Sequence, residues 1–255
     1  MLFLVGIGLT GKDLSIRAIE ACKRSELMVD RYTCLVDDEH LDLIRSLSGK
    51  SEIKVLARSD MEEGAKEIVS KAAITDVAVL IGGDPLMATT HKILFIEAKK
   101  RNVEVEVVHS NSVLTAAIGE SGLDFYRFGA IATIPKWSAH YTPVSFYETL
   151  QKNAQNNLHT LLLLDYSQEL AASLGIKDSI NILEKAEGKY KSGIIKDETR
   201  IIVLNCLSSE RQQKLFTSVA KAKSLELGGP SVIIVPATMT SIEKEIVTAM
   251  CKSMD

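Results

Sequence analysis

Three glycines at the spacing G-x-G-x-x-G, Gly6-Ile7-Gly8-Leu9-Thr10-Gly11, close an apolar run at residues 2–7. Between a strand and a helix, that pattern builds a tight turn whose backbone N–H groups receive a pyrophosphate. Asp30 follows near the spacing of a ribose-binding acid. The same run with Lys12 nearly matches a phosphate-binding loop, but Asp13 stands where Ser or Thr is needed to hold magnesium. A carboxylate there repels phosphate. Asp13 also falls where a helix N-cap is expected, so its charge takes the positive end that a pyrophosphate needs. The sequence has no Tyr-x-x-x-Lys pair for short-chain dehydrogenase chemistry. On these residues three readings stay open: a plain tight turn, a small-molecule site, or a nicotinamide site.

A second turn carries more information. The apolar run at 77–81 leads straight into Gly82-Gly83-Asp84-Pro85, with Thr89-Thr90-His91 further on. A third polar stop, His109-Ser110-Asn111-Ser112, follows the run at 103–108. Ligands of open α/β sheets bind beyond the carboxyl ends of the strands, and these turns would face one crevice there. Asp84 also reads as an N-cap with Pro85 at the first helical position, a role compatible with ligand contact. His91 and His109 read as structural hydrogen-bond partners or as site residues.

The elements that must position these residues alternate. Strands are expected at 2–7, 26–30, 53–56, 77–81 and 103–108, and helices near 13–24, 41–47, 61–73, 87–100 and 112–120, the last stopped by Gly122. Such alternation means βαβ units and a mainly parallel sheet with both faces covered. Residues 125–145 are then rich in aromatic and turn residues. The second half reads as strands near 160–164, 200–204 and 232–235, helices near 145–153, 210–222 and 242–250, and an exposed loop at 187–193. Two α/β domains are expected, 1–112 and 113–255.

The 255 residues suffice for two modest cores, with 46% apolar and 25% charged residues. A net charge of −3 and the lack of a long basic run argue against general nucleic-acid binding. The apolar stretches fall short of the ~20 residues of a membrane helix, and the start lacks a charged region and cleavage site, so a cytoplasmic protein is expected. Cys22, Cys34, Cys206 and Cys251 have no metal-ligand spacing and read as reduced, buried thiols, with no metal site.

Four segments together carry a resemblance: MLFLVGIGL at the start, GGDPLMATTH at 82–91, VVHSNSV at 107–113 and NNLHTLLLLDY at 156–166. The chain resembles the tetrapyrrole-methylase-like class of methyltransferases, and within it the branch that acts in diphthamide biosynthesis. GDP-x-x-ATTH is far more specific than the opening glycines. The resemblance implies two α/β domains with S-adenosyl-L-methionine folded between them, the first glycines serving a turn and not a pyrophosphate. It implies cofactor contacts from Leu9, Asp84, Met87, Ser112, Val113, Leu163, Leu207 and Thr240. Met87 stands where a small residue or valine is usual, and Thr240 where many members have histidine. It further implies a homodimer whose substrate is translation elongation factor 2, methylated on the amino group of a 3-amino-3-carboxypropyl-histidine. Three methyls are expected, and in some members a fourth on the carboxylate. The residues assign no catalytic base. The competing readings are a porphyrin-like small-molecule methylase, a nicotinamide oxidoreductase, and a catalytically silent binding protein.

Overall fold

The computed structural model describes residues 1–32, 36–62, 64–167 and 172–254. Cys34, one of the four thiols, lies outside them. The chain divides into two compact units, Met1–Leu114 and Thr115–Asp255.

The first unit runs β1 (Leu2–Gly6), α1 (Ile16–Arg24), β2 (Glu26–Asp30), α2 (Asp38–Ser48), β3 (Ile53–Leu56), α3 (Arg58–Glu62), α4 (Ala65–Ala72), β4 (Val77–Ile81), α5 (Ile93–Lys100) and β5 (Val105–Val108), and the division falls inside α6 (Val113–Ser121). Its strands form a parallel sheet in the order β3-β2-β4-β1-β5. Every residue of the central strands β1 and β4 is buried, as expected where helices cover both faces of a sheet. Alternation sends Leu2, Leu4, Val77, Val79 and Ile81 to one face, against Ile68 and Val69 of α4 and Leu94 of α5. Phe3, Val5, Ala78 and Leu80 go to the other, against Ala18 and Cys22 of α1 and Leu41 and Ile44 of α2.

The second unit continues with β6 (Ala132–Ile134), α7 (Ser145–Gln155), β7 (Thr160–Leu164), β8 (Tyr166–Ser167), β9 (Ala172–Ser173), α8 (Ile176–Tyr190), β10 (Arg200–Asn205), β11 (Gln213–Ser218), α9 (Val219–Ala222), β12 (Ser231–Val235), α10 (Ser241–Met250) and β13 (Lys252–Ser253). Its main sheet is mixed, in the order β13-β11-β10-β12-β7-β6, and β8 pairs with β9 separately. Phe146, Tyr147 and Leu150 of α7 and Ile180 and Leu183 of α8 pack on Leu162, Ile201, Val203 and Ile233.

Several expected elements differ. The first helix begins at Ile16 and not near Asp13, because residues 11–13 make a 3-10 turn and Ser15 caps α1 by accepting from the Ala18 N–H. The helix expected at 61–73 is two helices, α3 and α4, parted at Gly64, where a Cβ would lie 2.9 Å from the Asp60 carbonyl oxygen. The helix expected from 87 starts only at Ile93, since the chain turns through Ala88 at φ 55°. The segment read as a helix at 210–222 is largely strand: Leu215 and Thr217 alternate inward along β11, which pairs antiparallel with β10. The loop expected at 187–193 is helical to Tyr190, where Lys191 ends α8 in the left-handed conformation. Cys22, Cys206 and Cys251 are free and buried, and burial pushes the Cys22 thiol up to about 12. Among the described residues no helix is long and apolar enough to cross a membrane.

Candidate active site

In the first unit, parallel strands bring the turns after β1, β4 and β5 to one sheet edge. The first two are laced together: the Gly8 N–H donates to the Gly83 carbonyl at 3.2 Å, and the Gly83 N–H to the Gly8 carbonyl at 2.8 Å. A side chain at Gly6 would strike the Gly83 oxygen at 2.8 Å, the Pro85 ring at 2.8 Å and Ser110 at 2.9 Å. The first glycine therefore lets three turns meet. Gly8 holds φ +75°, and a Cβ there would lie 2.1 Å from the Asp13 side chain.

Asp13 decides what the first turn can bind. Its Oδ2 accepts from the Leu9 N–H at 2.9 Å and the Thr10 N–H at 3.0 Å. These are the N–H groups a phosphate would need, and a carboxylate of the chain itself fills their cradle. Asp30 is equally committed. It is fully buried, accepts from the Tyr32 N–H at 2.7 Å, and lies 3.0 Å from His91 Nε2, also fully buried. The ribose-acid reading of Asp30 and the pyrophosphate reading of the glycines both fail on these contacts.

Asp84 is the centre of the edge. It is buried, and its Oδ1 accepts from the Leu86 N–H at 3.0 Å. Its Oδ2 accepts from the Ser110 N–H at 3.3 Å and faces His109 Nδ1 at 2.7 Å. Ser110 Oγ in turn donates to the Asp13 carbonyl at 3.2 Å. No helix starts at Pro85, so Asp84 caps a turn and not a helix. Its carboxylate has about four acceptor positions, and these donors use three, leaving one on Oδ1 for a ligand's N–H or O–H.

Of the residues implied by the resemblance, Leu9, Asp84, Met87, Ser112 and Val113 all lie in the turns at this edge. Leu9 is half-buried, Met87 exposed, Ser112 buried, and Val113 opens α6. In the second unit, Leu163 pairs with Val232, and Val232 with Leu204, so β7 and β10 end where β12 begins. Leu207 follows β10 at that edge, beside the Asn205–Ser231 pair, whose side chains meet at 2.9 Å. Thr240 does not join them. It lies beyond the opposite edge, where Val235 pairs with Thr160, and its hydroxyl caps α10 by accepting from the Glu243 N–H.

Two of these positions, Leu207 and Met87, adjoin strained backbone. Cys206 and Ser208, at φ 48° and 65°, flank Leu207, and Ala88 at φ 55° follows Met87. The left-handed region costs non-glycine residues about 1–2 kcal/mol each. Such strain is retained where the surroundings impose it, and it concentrates at ligand sites. The Leu207 turn is held by the Cys206 N–H donating to the Pro230 carbonyl at 2.8 Å.

The edge beyond β12 holds a buried polar cluster that reading by segments missed. His159 Nδ1 accepts from the Ala237 N–H at 2.9 Å, so Nε2 carries the proton and donates to Glu243 Oε1 at 2.8 Å. Glu243 also pairs with Arg127, which reaches the Thr238 carbonyl. Burial alone would raise the Glu243 carboxyl. The Thr240 N–H, His159 and the Asp124 N–H outweigh it and hold the pKa at about 2. The legible signal was Thr240-Ser-Ile-Glu243, a capping box that the structure forms in full.

The family model for Tetrapyrrole (Corrin/Porphyrin) Methylases matches residues 1–223. The chain is 36% identical over 250 residues to the diphthine synthase of Methanothermobacter thermautotrophicus, covering 96% of this chain and 93% of that protein. It is 35% identical over 249 residues to the diphthine synthase of Methanosphaerula palustris, covering 96% of each. A crystal structure of a diphthine synthase superposes with a TM-score of 0.86 at 26% identity, covering 100% of this chain and 97% of the other.

Proposed function

This chain belongs to the tetrapyrrole methylase family, and we propose that it is the S-adenosylmethionine-dependent enzyme that methylates a modified histidine of translation elongation factor 2 in diphthamide biosynthesis. The observation that carries the reading is likeness to diphthine synthases along nearly the whole chain. The acceptor is the amino group of the 3-amino-3-carboxypropyl-histidine. It takes three methyls, with a fourth on the carboxylate as a variant outcome. The protein acts as a cytoplasmic homodimer. Sedimentation is expected to give a dimer at micromolar concentration, and a monomer there would remove that part of the proposal.

The donor set of the first unit fits the cofactor. Its turns offer carboxylate oxygens, of Asp84 above all, which suit a ligand bearing a sulfonium and an ammonium group. They are the wrong charge for a pyrophosphate. Leu9, Asp84, Met87, Ser112 and Val113 of the first unit and Leu163 and Leu207 of the second are the proposed contacts. Thr240, the remaining contact that the resemblance implies, also caps α10. When bound, the cofactor supplies an electrophilic methyl group for in-line displacement, which needs no metal and no covalent intermediate on the enzyme. The chain's own part is to hold that group and the acceptor in line and to keep water out.

The test is to incubate the protein with labelled S-adenosylmethionine and elongation factor 2 carrying the aminocarboxypropyl group. Label is expected to enter that protein, to stop near three methyls per chain or one further, and to vanish when the modified histidine is replaced. Calorimetry with S-adenosylhomocysteine and NADH in parallel separates the cofactor classes. Binding of NADH alone, or turnover of a porphyrin precursor with no label in the elongation factor, would overturn the assignment.

A further inference from the structure

We propose that His109 is the base that takes the proton from the acceptor amine, with Asp84 orienting its ring. The inference rests on the reading above, in which the acceptor is an amine that must shed a proton before each attack. His109 follows β5 at the edge where Leu9 and Asp84 lie. Its Nδ1 is 2.7 Å from Asp84 Oδ2. An ionised carboxylate only accepts, so Nδ1 carries the ring hydrogen of the neutral imidazole and Nε2 keeps its lone pair. The His109 side chain is 67% exposed while that of Asp84 is 7% exposed. A buried carboxylate thus fixes the tautomer and aim of a ring that is itself open to solvent. This is the base-and-orienter arrangement that acid–base catalysis uses.

The other described histidines are differently employed. His40 is buried with Nε2 on the Ile7 carbonyl at 2.8 Å. His91 is fully buried against Asp30. His159 spends both ring nitrogens on Ala237 and Glu243. His140 lies on an exposed turn of the second unit.

The step is a single proton transfer. One N–H bond of the acceptor ammonium breaks, and its electron pair stays on that nitrogen as the attacking lone pair. The proton goes to His109 Nε2, the imidazolium is stabilised by Asp84, and the proton then leaves to water. Primary, secondary and tertiary ammonium groups each need it once, and the quaternary product has no N–H left. Methylation of a carboxylate needs no such transfer. Among the described contacts the charged group facing the ring is Asp84, at Nδ1, and Asn111, two residues on, donates to the Asp13 carboxylate.

The test uses His109→Gln and His109→Ala in the full-length protein. Initial rates on elongation factor 2 bearing the aminocarboxypropyl group are read from about pH 6 to 9, with S-adenosylhomocysteine affinity by calorimetry. A positioned base contributes about 100- to 10,000-fold, and solvent access at this ring favours the low end. We therefore expect kcat to fall about 100-fold near neutrality, with KM and cofactor affinity little changed. The deficit should shrink as pH rises and bulk base frees the amine, and added imidazole should restore part of the His109→Ala rate. Undiminished kcat in both variants overturns the assignment. So does an equal loss at every pH without imidazole rescue, or a loss traced to failed cofactor binding, either of which makes the ring structural. A wild-type protein that methylates no amine overturns the acceptor reading first, and the base assignment with it.

Discussion

Asp84→Ala is expected to weaken S-adenosylhomocysteine binding by about 100-fold or more and to destabilise the first unit at the same time. The carboxylate joins two turns, accepting from the Leu86 and Ser110 N–H groups and orienting His109. A hydrogen bond to a charged group is worth about 1.5–3 kcal/mol, which is roughly 10- to 150-fold in affinity. Displacement of the His109–Ser112 turn adds to that loss. The two backbone N–H groups left behind cost about 1–3 kcal/mol each if they stay buried and unpaired. A helix cap alone would be worth ~1 kcal/mol and would leave binding intact. Asp84→Asn keeps an oxygen for Leu86 and loses the charge, so it should retain more stability than affinity. Calorimetry and thermal melts on both variants decide the matter. Lost stability with normal cofactor binding would make Asp84 purely structural.

His159→Ala is expected to destabilise the second unit strongly, by about 3–5 kcal/mol. It removes one partner of a buried charged group, the costly way to break such a pair, and orphans the Ala237 N–H as well. At roughly 2–4 °C per kcal/mol for a protein of this size, the melting temperature should fall by about 10 °C. The same cluster makes the protein acid-sensitive. Burial lowers the His159 pKa, with Glu243 opposing in part, so the unfolded chain takes up a proton below about pH 6.5 that the folded ring resists. Glu243 is held at about 2, and so is Glu187, whose burial is outweighed by the Tyr147 hydroxyl and the Ile195 and Gly193 N–H groups. Folded pKa values below the unfolded ones give stability that is complete above the unfolded values and is lost as pH falls through the folded ones. Melts should therefore decline from about pH 6.5, steepen below about 4.5, and level near 2. A melting temperature flat from neutrality to about pH 3, or a His159→Ala protein as stable as the wild type, would refute this account.

Local pattern carried much of the first unit. The runs at 26–30, 53–56 and 77–81 are strands over those residues, as is 160–164 in the second unit, because short, mostly apolar runs between turn signals have few other uses. Gly82-Gly83-Asp84-Pro85 was legible as a turn at a strand's carboxyl end, and the parallel order of β1, β4 and β5 made the neighbouring turns share it. Where the pattern misled, tertiary pairing had overridden propensity. Residues 213–218 are rich in helix formers, yet β10 offers an edge that draws them into a strand. Residues 187–190 look polar and loop-like, but Glu187 is held by Tyr147, the Ser192 hydroxyl and the 193–195 backbone, and the helix runs on beneath.

The residue types at the site were determined by the sequence alone: three glycines, an acid at 13, an acid at 84 and a histidine at 109. What each does with its charge was decided only in three dimensions. Asp13 folds back on the Leu9 and Thr10 N–H groups and removes an anion site. Asp30 pairs with His91, 61 residues away, and is lost to any ligand. Asp84 meets His109 across 25 residues, and Glu243 meets His159 across 84. Strand register sets Leu163 and Leu207 at one edge and Thr240 beyond the other. Sequence spacing fixes distance only within a turn or a helix, where the backbone geometry is local. A buried carboxylate takes whichever donor the packed chain presents to it, and that choice belongs to the tertiary fold.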